Sequence, residues 1–292
     1  MLNKICVPTY NRKNPKILKM LEKDKNLVLS FCVRGELLDS GFYDDFKNNP
    51  QIELLNLGYG LTNLGHTRQR IMQYCKDKKI KYVTMLDDTL DDIYDIIDMD
   101  KPISQILDEV IDRLENDPLK DLCVMYQFHR PERKRCISDK EHKKYFVCCP
   151  VQAFTINVDK AFEYGLTFKS YDEAGSEDEA FFVDTLKKGL ITCSNTNVNI
   201  SGDIAAVRKE GGTHESDDIL ENIADYRETK LAQYAGEMYG VYYTKRYRTN
   251  IGCLFSMATF DYDYFYDVLI SRREQNKKII DSEFKVVKRD VK

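Results

Sequence analysis

The chain has 292 residues, 42% of them hydrophobic and 32% charged, which is enough apolar sequence to bury a core in a soluble protein. Its formal net charge of -4 argues against indiscriminate nucleic-acid binding but leaves room for a local basic surface. No apolar run approaches the roughly 20 residues that cross a bilayer, and the N-terminus lacks a signal-peptide pattern. We therefore expect a cytoplasmic protein without a membrane partner.

Nine cysteines are scattered along the chain without the spacing of a zinc ribbon or a redox motif. Their number is odd, and we interpret them as the reduced thiols of a cytosolic protein. Lys, Asn, Asp, Ile and Tyr are abundant and Trp is absent. This composition is compatible with an AT-rich genome, such as that of a bacteriophage or a low-GC bacterium.

Short apolar runs alternate with segments of helical spacing, and this alternation predicts an α/β fold with a mostly parallel sheet. The predicted strands, in chain order, are 5–8, 26–33, 52–57, 82–86, 122–128, 145–158 and 190–200. The predicted helices are 16–21, 67–75, 103–114 and 177–188, followed by a helical, tyrosine-rich region from residue 218 onward. No internal repeat or inter-domain linker interrupts this order.

The fourth predicted strand ends abruptly in carboxylates. The apolar run from Tyr82 to Leu86 is followed by Asp87, Asp88, Asp91 and Asp92. In an open α/β sheet, ligands bind beyond the carboxyl ends of the strands. Acids crowded at such an end repel one another, and a divalent cation that carries substrate phosphates would relieve the repulsion. We predict a metal and nucleotide-sugar site at this point.

Four segments, in this order, resemble motifs of the family 2 glycosyltransferases. They are Val7–Arg12, Gly65–Ile71, Met85–Asp88 and Ser176–Phe181, and Gly211–His214 lies where many such enzymes place a further metal ligand. The resemblance implies a GT-A, Rossmann-like sheet flanked by helices over residues 1–215, with a nucleotide-sugar half (1–100) and an acceptor half (101–215). Residues 216–292 would then be a helical C-terminal extension packed on the same domain.

The resemblance also implies how the donor is held. The donor would be a nucleotide-sugar, most commonly a UDP-sugar, and its nucleoside would contact Pro8, Thr9, Tyr10 and Arg12. The diphosphate would pair with Arg68 and Arg70, because a guanidinium matches phosphate geometry. Mn²⁺ or Mg²⁺ would be bound by Asp88 and His214, with Asp87 as a further ligand or as the ribose contact.

One position departs from the family pattern, which requires an acid, any residue, and a second acid. Here Asp87 and Asp88 are followed by Thr89, so the usual third position is not an acid. Either Asp88 takes that role or Asp91 reaches in from the next turn.

The start of the helix at 177–188 resembles the segment that carries the catalytic base. Asp178, with Glu177 as the alternative, would accept the proton of the acceptor hydroxyl. This arrangement is typical of inverting enzymes. The simpler interpretation is that both acids only stabilise the helix N-terminus, by about 0.3–1 kcal/mol each.

Other polar residues have equally simple interpretations. Asp92, Asp95 and Asp98 are expected to form the solvated face of an acidic helix, and His66 to be structural. His214 could equally be a surface histidine.

Two basic clusters suggest the acceptor. The polar segment 129–144 has seven Lys or Arg against three acids and contains Arg130, Arg133, Lys134 and Arg135. The segment 242–248 interleaves tyrosines with Lys245, Arg246 and Arg248. Basic and aromatic residues together suit a phosphate backbone and a flipped base. The hypothesis is double-stranded DNA with hydroxymethylated or already glycosylated bases, so that the chain resembles phage DNA-base or TET-associated glycosyltransferases, and the alternative is an ordinary solvated surface.

Three other functions remain open at this point. The chain could glycosylate a surface polysaccharide or a protein, it could be a non-catalytic nucleotide-sugar-binding protein, or it could be a nucleotidyltransferase. The last also places acids at strand ends but releases diphosphate from a nucleoside triphosphate.

Overall fold

The computed structural model describes residues 3–116, 120–129, 137–138, 146–147, 152–168, 177–178, 181, 184–185, 188 and 190–202. Its strands are β1 (Asn3–Pro8), β2 (Leu29–Val33), β3 (Ile52–Asn56), β4 (Tyr82–Leu86), β5 (Leu90–Asp95), β6 (Cys123–His129), β7 (Ile137–Ser138), β8 (Phe146–Val147), β9 (Ala153–Asn157) and β10 (Ile191–Gly202). Its helices are α1 (Leu18–Lys23), α2 (Gly35–Asp39), α3 (Leu64–Asp77), α4 (Ile103–Asn116) and α5 (Val158–Glu163), with a 3₁₀ turn at Asp44–Phe46.

Eight strands form one sheet in the order β3-β2-β1-β4-β9-β6-β10-β5. Strands β1 to β4 are parallel to one another, β6 is parallel to β10, and β9 and β5 run antiparallel to their neighbours. The carboxyl ends of β1 to β4 therefore lie along one edge of the sheet, which is where open α/β sheets bind ligands.

Helices cover both faces of this sheet. A buried cluster on one face joins α3 and α5 to the sheet and contains Ile71, Met72 and Ala161. The buried residues of α1 and α4 lie outside that cluster, and the two helices are linked because Ser104 donates its backbone N–H to Asp24 Oδ2 (2.7 Å). The strands β2, β4 and β9 are buried at every position, which explains why their sequences are mostly apolar.

The predicted α/β class, a Rossmann-like and mostly parallel sheet flanked by helices, is confirmed. Helix α3 begins three residues earlier than predicted, because the Asn63 side chain accepts a hydrogen bond from the His66 backbone N–H and caps the helix. The two predicted halves share the sheet, since β4 pairs with β9 and β5 pairs with β10. The predicted extension at 216–292 lies outside the described residues.

The acidic segment after β4 was predicted incorrectly. We expected a solvated helix face, but residues 90–95 form strand β5, which pairs antiparallel with β10 at the sheet edge. Asp95 is buried and forms an ion pair with Lys101 (3.0 Å). Asp92 forms an ion pair with Lys23, while Asp98 is exposed. Pairing with β10, about a hundred residues further along the chain, outweighs the local preference of the segment for a helix. The sequence of the segment does not reveal that partner.

The predicted polar loop 129–144 is also interrupted. Strand β7 lies within it and pairs with β8, so the described part of this segment contains one side of a short ribbon. None of the helices in the described ranges combines the length and the apolar composition needed to cross a membrane.

Candidate active site

The carboxyl end of β4 is fixed by backbone hydrogen bonds. The Asp87 N–H donates to the carbonyl of Gln152 (2.7 Å), and the Asp88 carbonyl accepts from the Ile17 N–H (3.3 Å). Gln152 adopts a φ of 65°, which is uncommon for a residue other than glycine, and its side-chain Nε2 donates to Thr89 Oγ1 (3.3 Å). The two aspartates are therefore held by the protein at the ligand-binding edge of the sheet.

Arg68 connects this strand end with the predicted catalytic acids. Its Nη2 donates to Asp87 Oδ1 (3.0 Å) and its Nη1 donates to Glu177 Oε1 (2.7 Å). The same Nη1 lies 3.8 Å from Asp178 Oδ2. One guanidinium thus joins Asp87 to two carboxylates that lie about 90 residues further along the chain. We call this group the Arg68 cluster (Arg68, Asp87, Glu177 and Asp178).

Arg68 is buried because of where it lies on α3. It shares a face with Ile71, Met72 and Cys75, at helical spacings of three, four and seven residues. Its guanidinium lies 5.1 Å from the ring centre of Phe154 and 6.0 Å from that of Phe168. The apolar surroundings weaken screening by water, so the attraction between the guanidinium and its carboxylates is stronger than at a surface.

The pKa of Arg68 reflects these surroundings. Desolvation disfavours its charge, but Glu177, Asp87 and Asp178 outweigh desolvation and raise the pKa above its ordinary value. The guanidinium is therefore a permanent positive charge between the strand end and the acids at 177–178.

Glu177 and Asp178 are both helical, but their environments differ. Glu177 is buried, with 6% of its surface exposed, whereas the Asp178 side chain is 20% exposed. Burial raises the pKa of Glu177 to about 7, and the Asp178 charge adds to the rise, although Arg68 favours the ionised form. The more exposed Asp178 is the one of the two that a substrate could reach.

The raised pKa of Glu177 predicts a pH-dependent stability. Because folding raises this pKa from 4.5 to about 7, its contribution to stability is fully present below pH 4.5 and is lost as the pH rises through 7. The free-energy difference is on the order of 3 kcal/mol. Glu177→Gln cannot ionise and should lack this decline. Urea unfolding of both proteins from pH 4.5 to 8.5 measures it, and a constant difference between them would contradict the prediction.

Asp88 belongs to a second polar group at the same edge. Its Oδ2 accepts a hydrogen bond from Thr9 Oγ1 (3.0 Å), and Thr9 Oγ1 lies 3.3 Å from the hydroxyl of the buried Tyr43. Arg12 Nε lies 3.1 Å from Asp88 Oδ2 without an aligned hydrogen bond, so this contact is an ion pair. Burial raises the pKa of Asp88 to about 6, in spite of the favourable Arg12 charge.

The oxygen donors at this strand end suit a hard divalent cation. Oδ2 of Asp88 is engaged by Thr9 and Arg12, whereas Oδ1 accepts no hydrogen bond from any residue in the described ranges. Mg²⁺ is commonly held by one or two carboxylates together with substrate phosphates, and Asp88 with Asp87 fits that requirement. In the described part of the chain, no group of three His, Cys, Asp or Glu side chains could enclose a metal ion by itself.

The remaining predicted donor contacts are placed as follows. Pro8 ends β1, and Tyr10 in the loop beyond it is 44% exposed. Arg70 is exposed and, two residues from Arg68, points to the opposite side of α3. His66 contacts Thr62 through Nδ1 (2.9 Å), in keeping with a structural role. The predicted residues His214, Arg130, Arg133, Lys134, Arg135, Lys245, Arg246 and Arg248 lie outside the described residues.

The sequence argument missed three residues of this edge. Tyr43 and Gln152 support the two aspartates, and Arg34 directly follows β2 with its guanidinium 4.2 Å from the ring centre of Tyr10. Arg34 could have been found by the rule that selected Asp87, because both residues follow the carboxyl end of a parallel strand. Tyr43 and Gln152 have no such signal, since their roles depend on long-range contacts.

No family model and no curated protein matches the chain. Among solved structures, it resembles S. aureus TarS 1-349 in complex with UDP, at 13% identity and a TM-score of 0.47, over 82% of this chain and 70% of that one. In a second structure of TarS 1-349 the match spans 66% of that chain, at a TM-score of 0.43.

Two further structures represent different enzyme classes. The catalytic domain of Drosophila beta1,4galactosyltransferase 7 in complex with xylobiose matches at 14% identity and a TM-score of 0.39, over 75% of this chain and 77% of that one. A cytidylyltransferase from Leptospira borgpetersenii matches at 14% identity and a TM-score of 0.41, over 99% and 100% of the two chains. Both classes are transferases. At such identities the likeness concerns the architecture of the sheet alone.

Proposed function

We propose that the chain is a glycosyltransferase that moves a sugar from a nucleotide-sugar to an acceptor hydroxyl. The observation that carries the proposal is the Arg68 cluster. It brings a carboxylate at the end of β4, where a donor would bind, together with an acid pair that could deprotonate an acceptor. The order of motifs along the sequence supports the same assignment.

Asp178 is the general base in this proposal. A base must reach the hydroxyl whose proton it accepts, and Asp178 is more exposed than Glu177, whose carboxylate is held by Arg68 at 2.7 Å. Glu177 is then a positioning residue that shares the guanidinium with Asp87. Direct attack of the activated hydroxyl on the sugar carbon makes the enzyme inverting.

The donor lies along the edge formed by β1 and β4. Thr9 and Arg12 contact Asp88, and Tyr10 lies between them in the chain, which supports nucleoside contacts beside the proposed diphosphate site. Asp88 and Asp87, with His214, would hold Mn²⁺ or Mg²⁺, and the bound ion would stabilise the charge of the departing nucleoside diphosphate. A UDP-sugar is the first donor to test.

A nucleotidyltransferase is the rival that uses the same strand end. In that reaction the attacking group can be a sugar phosphate, which is already ionised at neutral pH and needs no general base. The acid pair at 177–178, tied to the strand end through Arg68, is better explained by a hydroxyl acceptor.

The proposed acceptor is a hydroxymethylated base in double-stranded DNA, as expected for a phage enzyme that acts in the host cytoplasm. Its support comes from the two basic clusters of the sequence. A surface polysaccharide or a protein is the alternative acceptor, and a non-catalytic nucleotide-sugar-binding protein is the alternative without chemistry.

A transfer assay tests these possibilities together. The chain is incubated with labelled UDP-sugars and, in parallel, with hydroxymethylated DNA, unmodified DNA, glycans or protein, each with Mn²⁺, Mg²⁺ or a chelator. Label in DNA supports the full proposal, and label in glycan or protein supports the glycosyltransferase but not the DNA acceptor. Diphosphate release from a nucleoside triphosphate would instead identify a nucleotidyltransferase.

The basic segment should control DNA binding if DNA is the acceptor. Replacing Arg133, Lys134 and Arg135 by alanine should weaken binding and reduce the slope of log K against log salt by up to about 3, because each phosphate contact contributes about 0.9. A matched triple change of the exposed Lys19, Lys47 and Lys78 controls for net charge. Unchanged binding and unchanged turnover on modified DNA would exclude this acceptor surface.

A further inference from the structure

Arg34 lies at the ligand-binding edge of the sheet, at the carboxyl end of β2. It directly follows β2, and its guanidinium lies over the ring of Tyr10, which is 44% exposed. Within the described ranges, no carboxylate or carbonyl accepts a hydrogen bond from this guanidinium. Partial desolvation lowers the pKa of Arg34, and the nearby Tyr10, Glu36 and Tyr43 only partly offset it.

The backbone around Arg34 is fixed by the loop that follows β3. The Gly35 N–H donates to the Gly58 carbonyl (2.8 Å), and the Gly60 N–H donates to Glu36 Oε1 (2.9 Å). A Cβ atom at Gly35 would lie 2.7 Å from the Tyr59 ring, so that ring packs directly on the backbone next to Arg34. Tyr59 is itself 61% exposed.

The result is a surface on which the guanidinium of Arg34 stacks on the exposed ring of Tyr10, while the exposed ring of Tyr59 packs on the neighbouring backbone. The guanidinium carries five N–H donors and no acceptor, so this surface suits a ligand that supplies hydrogen-bond acceptors. Aromatic rings and a planar guanidinium are the groups on which proteins stack planar bases. The space beside the two neighbouring glycines, Gly58 and Gly60, is open.

The position of Arg34 favours a base over a phosphate. Strand β2 is separated from β4 by β1, and adjacent strands are about 4.8 Å apart, so Arg34 lies about 10 Å along the edge from the Asp87–Asp88 end. A diphosphate held at that end would be farther from Arg34 than a nucleoside at the loop after β1. Under the proposed function, the nucleoside contacts that loop, which lies between the two strand ends, and extends toward Arg34.

We propose that Arg34 reads the nucleobase of the donor and selects a base that presents a ring carbonyl oxygen, as uracil does. This inference rests on the proposed function, because it assumes that a nucleotide binds at this edge. Uracil presents the acceptor O4 at the place where adenine presents an amino donor, and an arginine can only donate. Tyr10 and Tyr59 are the rings that would border the base.

Binding of UDP, ADP and inorganic pyrophosphate to the full chain tests the role of Arg34. Wild type should prefer UDP to ADP. Arg34→Met keeps an apolar side chain against Tyr10 but has no donors, and it should weaken UDP binding by about 10- to 100-fold and remove the preference over ADP. Arg34→Gln, which retains one amide donor, should keep part of the affinity. Pyrophosphate binding should change less than about twofold.

The outcomes separate this inference from the proposed function. If Lys78→Met, which removes one exposed positive charge, lowers UDP affinity as much as Arg34→Met does, the effect is one of net charge and the inference is overturned. Equal losses for UDP and pyrophosphate would make Arg34 a phosphate contact and overturn it as well. Unchanged UDP binding in Arg34→Met overturns the inference alone. Absence of nucleotide binding in wild type overturns the proposed function.

Discussion

Replacing Asp178 by asparagine should lower the rate of sugar transfer by about 10²- to 10⁴-fold, the usual contribution of a general base. Asparagine has nearly the same shape and can still contact Arg68, but it cannot accept the proton of the acceptor hydroxyl. Asp178 does not lie at the end of β4, where the nucleotide-sugar is proposed to bind. Binding of the nucleotide-sugar should therefore be unchanged.

The rate at saturating donor and the dissociation constant of UDP together measure this effect. Asp159→Asn, on the exposed side of α5, is the control, because Asp159 is exposed and forms a surface ion pair with Lys76 (2.8 Å). Glu177→Gln should lower the rate less than Asp178→Asn, since Glu177 positions Arg68 and does not take the proton. A full rate in Asp178→Asn would remove Asp178 as the base, and a larger loss in Glu177→Gln would transfer that role to Glu177.

The order of strands and helices was predictable because it depends on local sequence. The run from Tyr82 to Leu86 became β4 with the bounds expected, since a strand buried on both faces has a nearly continuous apolar sequence. Strand β5 could not be predicted in the same way. Its sequence is half acidic, and it is a strand because β10 pairs with it, so the deciding contact is more than a hundred residues away.

The candidate site was predictable in outline but not in its pairings. Asp87 and Asp88 follow a strand end, and such residues can be recognised from sequence alone. Arg68 and Arg70 were equivalent as diphosphate contacts, and only the helix geometry distinguishes the buried residue from the exposed one. Glu177 and Asp178 are neighbours with the same chemistry, and their different burial comes from packing that the sequence does not display.

Pairing within the site also alters the interpretation of both arginines. Arg68 and Arg12 were expected to contact the donor, and each lies against a carboxylate of the protein. Together the two groups contain four carboxylates and two guanidinium groups. This excess of negative charge agrees with a site that receives a cation with its substrate. It also means that each arginine should contribute strongly to the stability of the fold.

Replacing Arg68 by methionine should destabilise the fold by about 3–5 kcal/mol near pH 8, the usual result of removing one partner from a buried ion pair. Methionine preserves the contact with Phe154, so the loss reports mainly on the charge. Asp87, Glu177 and Asp178 would then lie near one another without a compensating cation. Lysine would not restore the site, because a single ammonium cannot bridge two carboxylates as the planar guanidinium does.

The effect of Arg68→Met should depend on pH and on Glu177. Protonation of Glu177 removes one of the unpaired charges, so the loss of stability should be smaller at pH 5 than at pH 8. The double variant Arg68→Met with Glu177→Gln should therefore be more stable at pH 8 than Arg68→Met alone, and a double-mutant cycle in urea gives the coupling energy. Lys76→Met, on the same helix with an exposed partner, should cost no more than about 1 kcal/mol. Arg68→Met could instead lose as little stability as Lys76→Met, with no change between pH 5 and pH 8. That result would mean that the Arg68 cluster does not hold the end of β4 and the acids at 177–178 together.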